Sequence, residues 1–195
     1  EEIALERLDD ASLREVLAEA GVRSPIAQAA IVELAEGNPL LARRLAAGLD
    51  ADERAGSRPL PATLRVPEEV ADLYRAPLAE LDDAARRALA VVAADTTGEL
   101  ATVLGALDAS GLGLSELERV EELGLVEVGS SSVAFVHPIA RTAAYQSLPA
   151  PLRRSAHAAL AEAVGPGSPS GVLHRSAAAV GPDPALAADV ADLGR

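Results

Sequence analysis

The sequence predicts a mainly α protein with one β-hairpin, and three observations carry that expectation. Hydrophobic residues make up 49% of the chain while aromatic ones make up only 2%, so any core is built from Ala, Leu and Val. Ala and Leu are strong helix formers, and most of the chain repeats its apolar residues at helical spacing. The exception is a pair of short β-branched runs, Leu125 to Val128 and Val133 to Phe135, split by Gly129-Ser130-Ser131-Ser132. A flexible four-residue tip between two such runs reads as a hairpin. In order along the chain, the pattern gives a helical lid bundle, a winged helix-turn-helix with that hairpin as its wing, and a repeat-like helical tail.

Residues 1–58 form the expected lid-like domain. Ile3-Ala4-Leu5 reads as the end of a strand, and Asp10-Ala11-Ser12 opens a helix that turns Leu13, Val16, Leu17 and Ala20 inward until Gly21 stops it. A second helix, Ser24 to Ala35, has Ser24 as cap and Pro25 at its first position, with Ile26, Ala30, Ile31 and Leu34 on the inner stripe. Gly37-Asn38-Pro39 breaks the chain before a third helix, Leu40 to Leu49. From Asp50 to Pro67 the composition turns to charged residues, Gly, Ser, Pro59, Pro61 and Pro67, the signature of a linker or surface loop.

Residues 59–150 form the expected winged-helix domain. Helices are predicted over Glu68 to Ala79, Asp82 to Ala94, Glu99 to Leu107 and Ser115 to Leu123, followed directly by the hairpin. Helices and then a two-stranded wing is the order of a winged helix-turn-helix. The second strand ends at His137, and Pro138 opens an amphipathic helix carrying Ile139, Ala143, Ala144 and Leu148. Orphan backbone donors make such a junction a candidate anion site, to which an imidazole adds one more donor.

Residues 151–195 are expected to begin a helical repeat region of the TPR-like kind. A helix to Val164 keeps Leu152, Ala156, Ala159, Leu160 and Ala163 on one side. Gly165 to Gly171 is a flexible break, and helices over Val172 to Val180 and Pro184 to Leu193 follow.

Charge and composition exclude several classes. The formal net charge is −13, and the basic residues are all Arg, with no Lys in the chain. Binding a phosphate backbone needs a clustered positive face, and none is visible, so no direct nucleic-acid binding by this segment is expected. Glu116, Glu118, Glu121 and Glu122 lie on the helix that a DNA-reading winged helix would insert, where carboxylates would repel phosphates. There is no Cys, and His137, His157 and His174 are too scattered for a zinc site by spacing. The longest apolar run, near Ala88 to Ala94, is far below the roughly 18 residues a membrane span requires. No signal-peptide pattern opens the chain, so a cytoplasmic protein without membrane contact is expected. The lack of Met, initiator included, suggests a segment of something longer.

No Gly-Lys-Ser/Thr loop, nucleophile elbow or His-Glu-x-x-His appears, so this segment is not expected to be an enzyme. Each single candidate residue also has a plain structural explanation. Gly37-Asn38-Pro39 suits a left-handed helix stop followed by proline, His137 suits a helix cap, and Arg141, Arg153 and Arg154 suit solvated helix surfaces. His157 and His174, on Ala-rich helices, read as structural or exposed, and Tyr145 as core.

Five segments in a fixed order nevertheless resemble a family. They are Glu36-Gly37-Asn38-Pro39-Leu40-Leu41, Leu78 to Ala94, Leu117 to Val128, Phe135 to Pro149 and Leu152 to Val164. Together they are similar to the large ATP-binding regulators of the LuxR type, within the signal-transduction ATPases with numerous domains. The resemblance implies an upstream P-loop domain that binds ATP or ADP, a helical lid and winged helix that close over it, and downstream repeats that receive a protein or small-molecule effector. It implies nucleotide-contacting roles for Pro39, near the adenine, and His137, near the β-phosphate of ADP, with Asn38 and Arg141 beside them. The family's DNA-reading terminal domain has no counterpart here. Two departures stand out: Pro138 follows the histidine where the related motif often has an acidic or small residue, and the Walker A lysine has to lie upstream or be missing. A nucleotide-independent winged-helix and helical interaction module is the alternative.

Overall fold

The computed structural model describes residues 6–61 and 63–194, and the expected strand end at Ile3-Ala4-Leu5 lies outside them. Among the described residues the chain forms twelve helices and one two-stranded antiparallel sheet, so it is mainly helical. Two compact units emerge: one takes the residues up to Leu73 together with His137–Thr142, the other Tyr74–Val136 with the residues from Ala143 onward.

The first unit is built on α1 (Asp10–Glu19), α2 (Pro25–Ala35) and α3 (Pro39–Ala47), which pack against one another. Each starts with a side chain that accepts from an otherwise unpaired N–H of the first turn: Asp9 from Ser12, Ser24 from Ala27, and Asn38 from Leu40 and Leu41. Leu13, Leu17, Val22, Ile31 and Leu45 fill the centre, each contributing about 1.5–3 kcal/mol by burial. Ile26 departs from expectation: it is 73% exposed, and α2 instead buries Ala27, Ile31, Val32 and Ala35. The inner stripe is rotated by one residue because both α1 and α3 pack on α2.

The expected linker also begins with structure. Asp50 and Glu53 form a reciprocal capping box that starts the one-turn α4 (Ala51–Ala55), and Gly56 ends it in the left-handed region. The Arg54 carbonyl then accepts from the N–H groups of Arg23 and Ser24, tying α4 to the start of α2. Next comes α5 (Glu68–Ala79), whose residues are divided between the two units.

The second unit centres on α6 (Asp83–Ala94), capped by Asp82 and buried at every position from Ala88 to Ala94. A helix apolar on all sides needs neighbours all round, and α7 (Leu100–Ala109), α8 (Leu114–Glu122) and α10 (Ala150–Ala163) pack on it. Strands β1 (Val126–Val128) and β2 (Val133–Phe135) pair with Val126 opposite Phe135 and Val128 opposite Val133. Val126 and Val133 are buried while Glu127 and Ala134 are exposed, the alternation a one-faced hairpin requires. A bridge between Glu99 and Ser132 adds the residues before α7 to the hairpin's edge.

Helix α9 (Pro138–Ser147) starts at the expected proline and supplies residues to both units. Within α10, Ala156, Ala159 and Leu160 are buried as the pattern predicts, but Ala163 is exposed and Ala161 is buried in its place. The expected flexible break is shorter than its composition suggests. Ser168 caps, and Pro169 opens, α11 (Pro169–Ala178), so the helix begins inside the Gly/Ser/Pro run. A Cβ on Gly171 would collide with the Gly165 carbonyl, so only glycine lets α11 start this close to the end of α10. The chain ends in α12 (Pro184–Leu193), packed on α11. Among the described residues no single helix is long and apolar enough to cross a membrane; α7 and α8 together have the length and composition, but they are bent by 117°.

Candidate functional site

The turn between α2 and α3 is held in a conformation that its sequence resists. Glu36 has φ 44° and Gly37 φ 81°, and Glu36 is the one non-glycine among the described residues with positive φ. A non-glycine residue there costs about 1–3 kcal/mol, and such strain concentrates where structure is committed to function. Gly37 is obligatory for a second reason: an added Cβ would stand 2.6 Å from Arg7 Cβ and 2.7 Å from the Leu8 carbonyl oxygen. The Leu8 N–H donates to the Gly37 carbonyl at 2.9 Å, so the chain before α1 lies directly on this turn.

The left-handed backbone aims the Glu36 carboxylate at two cations or cation precursors. His137 Nδ1 lies 3.3 Å and Arg7 Nη1 3.8 Å from Glu36 Oε2. Glu36 and His137 are separated by 101 residues, so the fold and not local sequence makes this pair. All three side chains are at least one-third exposed. With Nδ1 donating to a carboxylate, the second ring nitrogen is the one through which His137 can meet another group. That Nε2 atom has no hydrogen-bond partner among the described residues.

Asn38 and Pro39 sit beside Glu36 in sequence but do different work. Asn38 Oδ1 accepts from Leu40 and Leu41 at 3.0 and 3.1 Å, and its carbonyl accepts from the Ala42 N–H. Pro39 has no N–H, so the first-turn donors of α3 are all accounted for and none is left for a phosphate. What the α3 start offers outward is apolar: Pro39 is exposed and Leu40 is 65% exposed. Arg141 lies one helical turn beyond His137 on α9 and is half-buried.

The structure thus brings His137 onto the Glu36-Gly37 turn, next in sequence to Asn38 and Pro39. The two residues that complete the cluster, Glu36 and Arg7, were not singled out as site residues in the sequence. Only the conflict between a helix stop and a non-glycine residue just before Gly37 marks Glu36, and nothing local marks Arg7. His157 and His174 are both buried, in the second unit.

Three of the four acidic residues of α8 are engaged locally. Glu116 accepts from the Gly113 N–H at 2.7 Å and is held below the usual carboxylate range chiefly by that bond. Glu121 accepts from the Val128 N–H, and Glu122 pairs with Arg119. No cluster of three or more potential metal ligands occurs among the described residues. A shallow cavity of about 410 Å³ between α11 and α12 has Asp183 as its one ionisable lining group, and that carboxylate caps α12. Comparisons with protein-family models, with curated proteins and with solved structures find no match to this chain.

Proposed function

We propose that this chain is the regulatory part of an ATP-dependent transcriptional regulator of the LuxR type, in which a helical lid and a winged helix close over a nucleotide held by a P-loop domain and the first helical repeats relay an effector signal. The observation that carries the proposal is the contact between Glu36 and His137, which joins the Gly37-Asn38-Pro39 turn to the start of α9 across 101 residues. In this reading Pro39 and Leu40 give an apolar face to the base, consistent with the lack of spare donors at the start of α3. His137 donates from Nε2 to a phosphate oxygen, Glu36 fixes the ring by accepting at Nδ1, and Arg141 adds positive charge one turn along. Effector binding to the repeats would separate α9 from the α2–α3 turn and release the nucleotide.

The order α6, α7, α8, β1, β2, with the Glu99–Ser132 bridge at the hairpin edge, supports the winged-helix part of the reading. Its α8 exposes Glu118, Glu121 and Glu122, which favours protein over DNA as its partner.

The test is the release rate of a fluorescent ADP analogue from the full-length protein. Replacing His137 by Ala is expected to speed release by about 10- to 100-fold, the worth of one hydrogen bond to a charged group. An unchanged rate removes His137 from the mechanism. Failure of the full-length protein to bind ADP at all would leave the second reading, a nucleotide-independent docking scaffold. That reading is favoured by the exposure of Ile26 and Leu40, at 73% and 65%.

A further inference from the structure

Three polar rings meet in the apolar interior of the second unit. His157 on α10 and His174 on α11 lie with Nδ1 facing Nδ1 at 2.9 Å, and the Tyr145 hydroxyl stands 2.9 Å from His157 Nε2. Both imidazoles are more than nine-tenths buried. Buried side-chain polar atoms are costly unless paired, and among the described residues none is left without a partner.

The proton count of this chain of rings is limited by geometry. Two neutral imidazoles satisfy it in one direction, with the tyrosine hydroxyl donating to His157 and His157 donating to His174. The reverse direction works equally well. One added proton is also accommodated: His157 then donates from Nδ1 to His174 and from Nε2 to the tyrosine oxygen. A second proton is not, because it sets an N–H against an N–H and one charge against another across 2.9 Å. One buried anion bears on the pair: Asp95, at the end of α6, favours the charged form of His174 while also accepting from Thr97 and Gly98, but it leaves the opposed N–H groups between the rings as they are. Arg153 lies over the Tyr145 ring, 5.3 Å from its centroid, and adds positive charge. Arg175 on α11 is paired with Asp189 of α12, and the one ionisable residue of α7, Asp108, is exposed.

We infer that Tyr145, His157 and His174 form an acid-released latch, which holds α11 and the attached α12 on α10 while the two imidazoles are neutral or share one added proton, and opens when both are cationic. The latch occupies the α10–α11 contact, and its opening exposes the buried faces around Leu160 and Val172. It rests on the second unit alone and is independent of any nucleotide.

Amide hydrogen exchange on the intact chain, corrected for intrinsic rates, tests it. Lowering the pH from about 7.5 to about 5 is expected to cost α11 and α12 about tenfold in protection relative to α6. His174→Asn keeps an amide where Nδ1 stood but does not titrate, and it should abolish that difference. Equal protection of α11 and α6 at both pH values overturns the proposal, as does a pH response that survives His174→Asn. Should the variant fail to fold, nitrogen chemical shifts of the wild-type imidazoles decide instead. Uptake of the second proton coincident with loss of α11 protection supports the latch; two independent titrations with α11 intact refute it.

Discussion

At the residue scale, the α2–α3 turn concentrates what is unusual in the first unit. Gly37→Ala is expected to destabilise the fold by about 1–3 kcal/mol, because it forces a side chain into the left-handed region and against the Leu8 carbonyl; urea unfolding reads the loss. Glu36→Gly should relieve the left-handed strain of φ 44°, worth about 1–2 kcal/mol, against about 0.4–1 kcal/mol of added unfolded-chain entropy, for a net change near zero or slightly stabilising. The same change deletes the carboxylate that holds His137 Nδ1, so on the proposed nucleotide role it should speed ADP release while raising or preserving the unfolding midpoint. Such a split between stability and retention is what a strained, committed site produces. The sequence makes Gly37, Asn38 and Pro39 visible as punctuation. It hides the pairing of Glu36 with His137, because that depends on how two segments 101 residues apart return to each other.

At the scale of elements, local signals are strong wherever a capping side chain precedes a first-turn proline. Ser24-Pro25, Asn38-Pro39 and Asp183-Pro184 each open a helix. The α4 turn escapes notice because five residues are too few for periodicity, and only the Asp50–Glu53 reciprocity reveals it. Ile26 escapes for a different reason: helical spacing identifies an apolar stripe, but the neighbours decide which sector of it is covered. Asp82 is the cap on which the buried α6 depends, accepting from the Ala85 N–H at 2.8 Å. Asp82→Ala should therefore cost about 0.5–2 kcal/mol in a denaturant titration. The paired histidines are illegible at this level, since neither helix by itself indicates that His157 and His174 face one another.

At the scale of the whole molecule, acidity and burial combine to give stability a definite pH dependence. Burial pushes His174 below its ordinary value of 6.5, with the charge of Asp95 opposing. The unfolded chain therefore binds more protons than the native one in this range. The stabilisation associated with neutral His174 is fully present above that ordinary value and is lost as pH falls through the native one. Urea midpoints measured across this range should fall on acidification in the wild type and flatten in His174→Asn.

The same ring cluster makes the molecule its own indicator. The chain contains no Trp and only two Tyr, so two phenol rings supply nearly all its near-ultraviolet absorption and emission. One of them, Tyr145, is hydrogen-bonded to the His157 imidazole. Its light emission is accordingly tied to the protonation of the histidines, and quenching in an unlabelled sample gives an optical record of the state of α11.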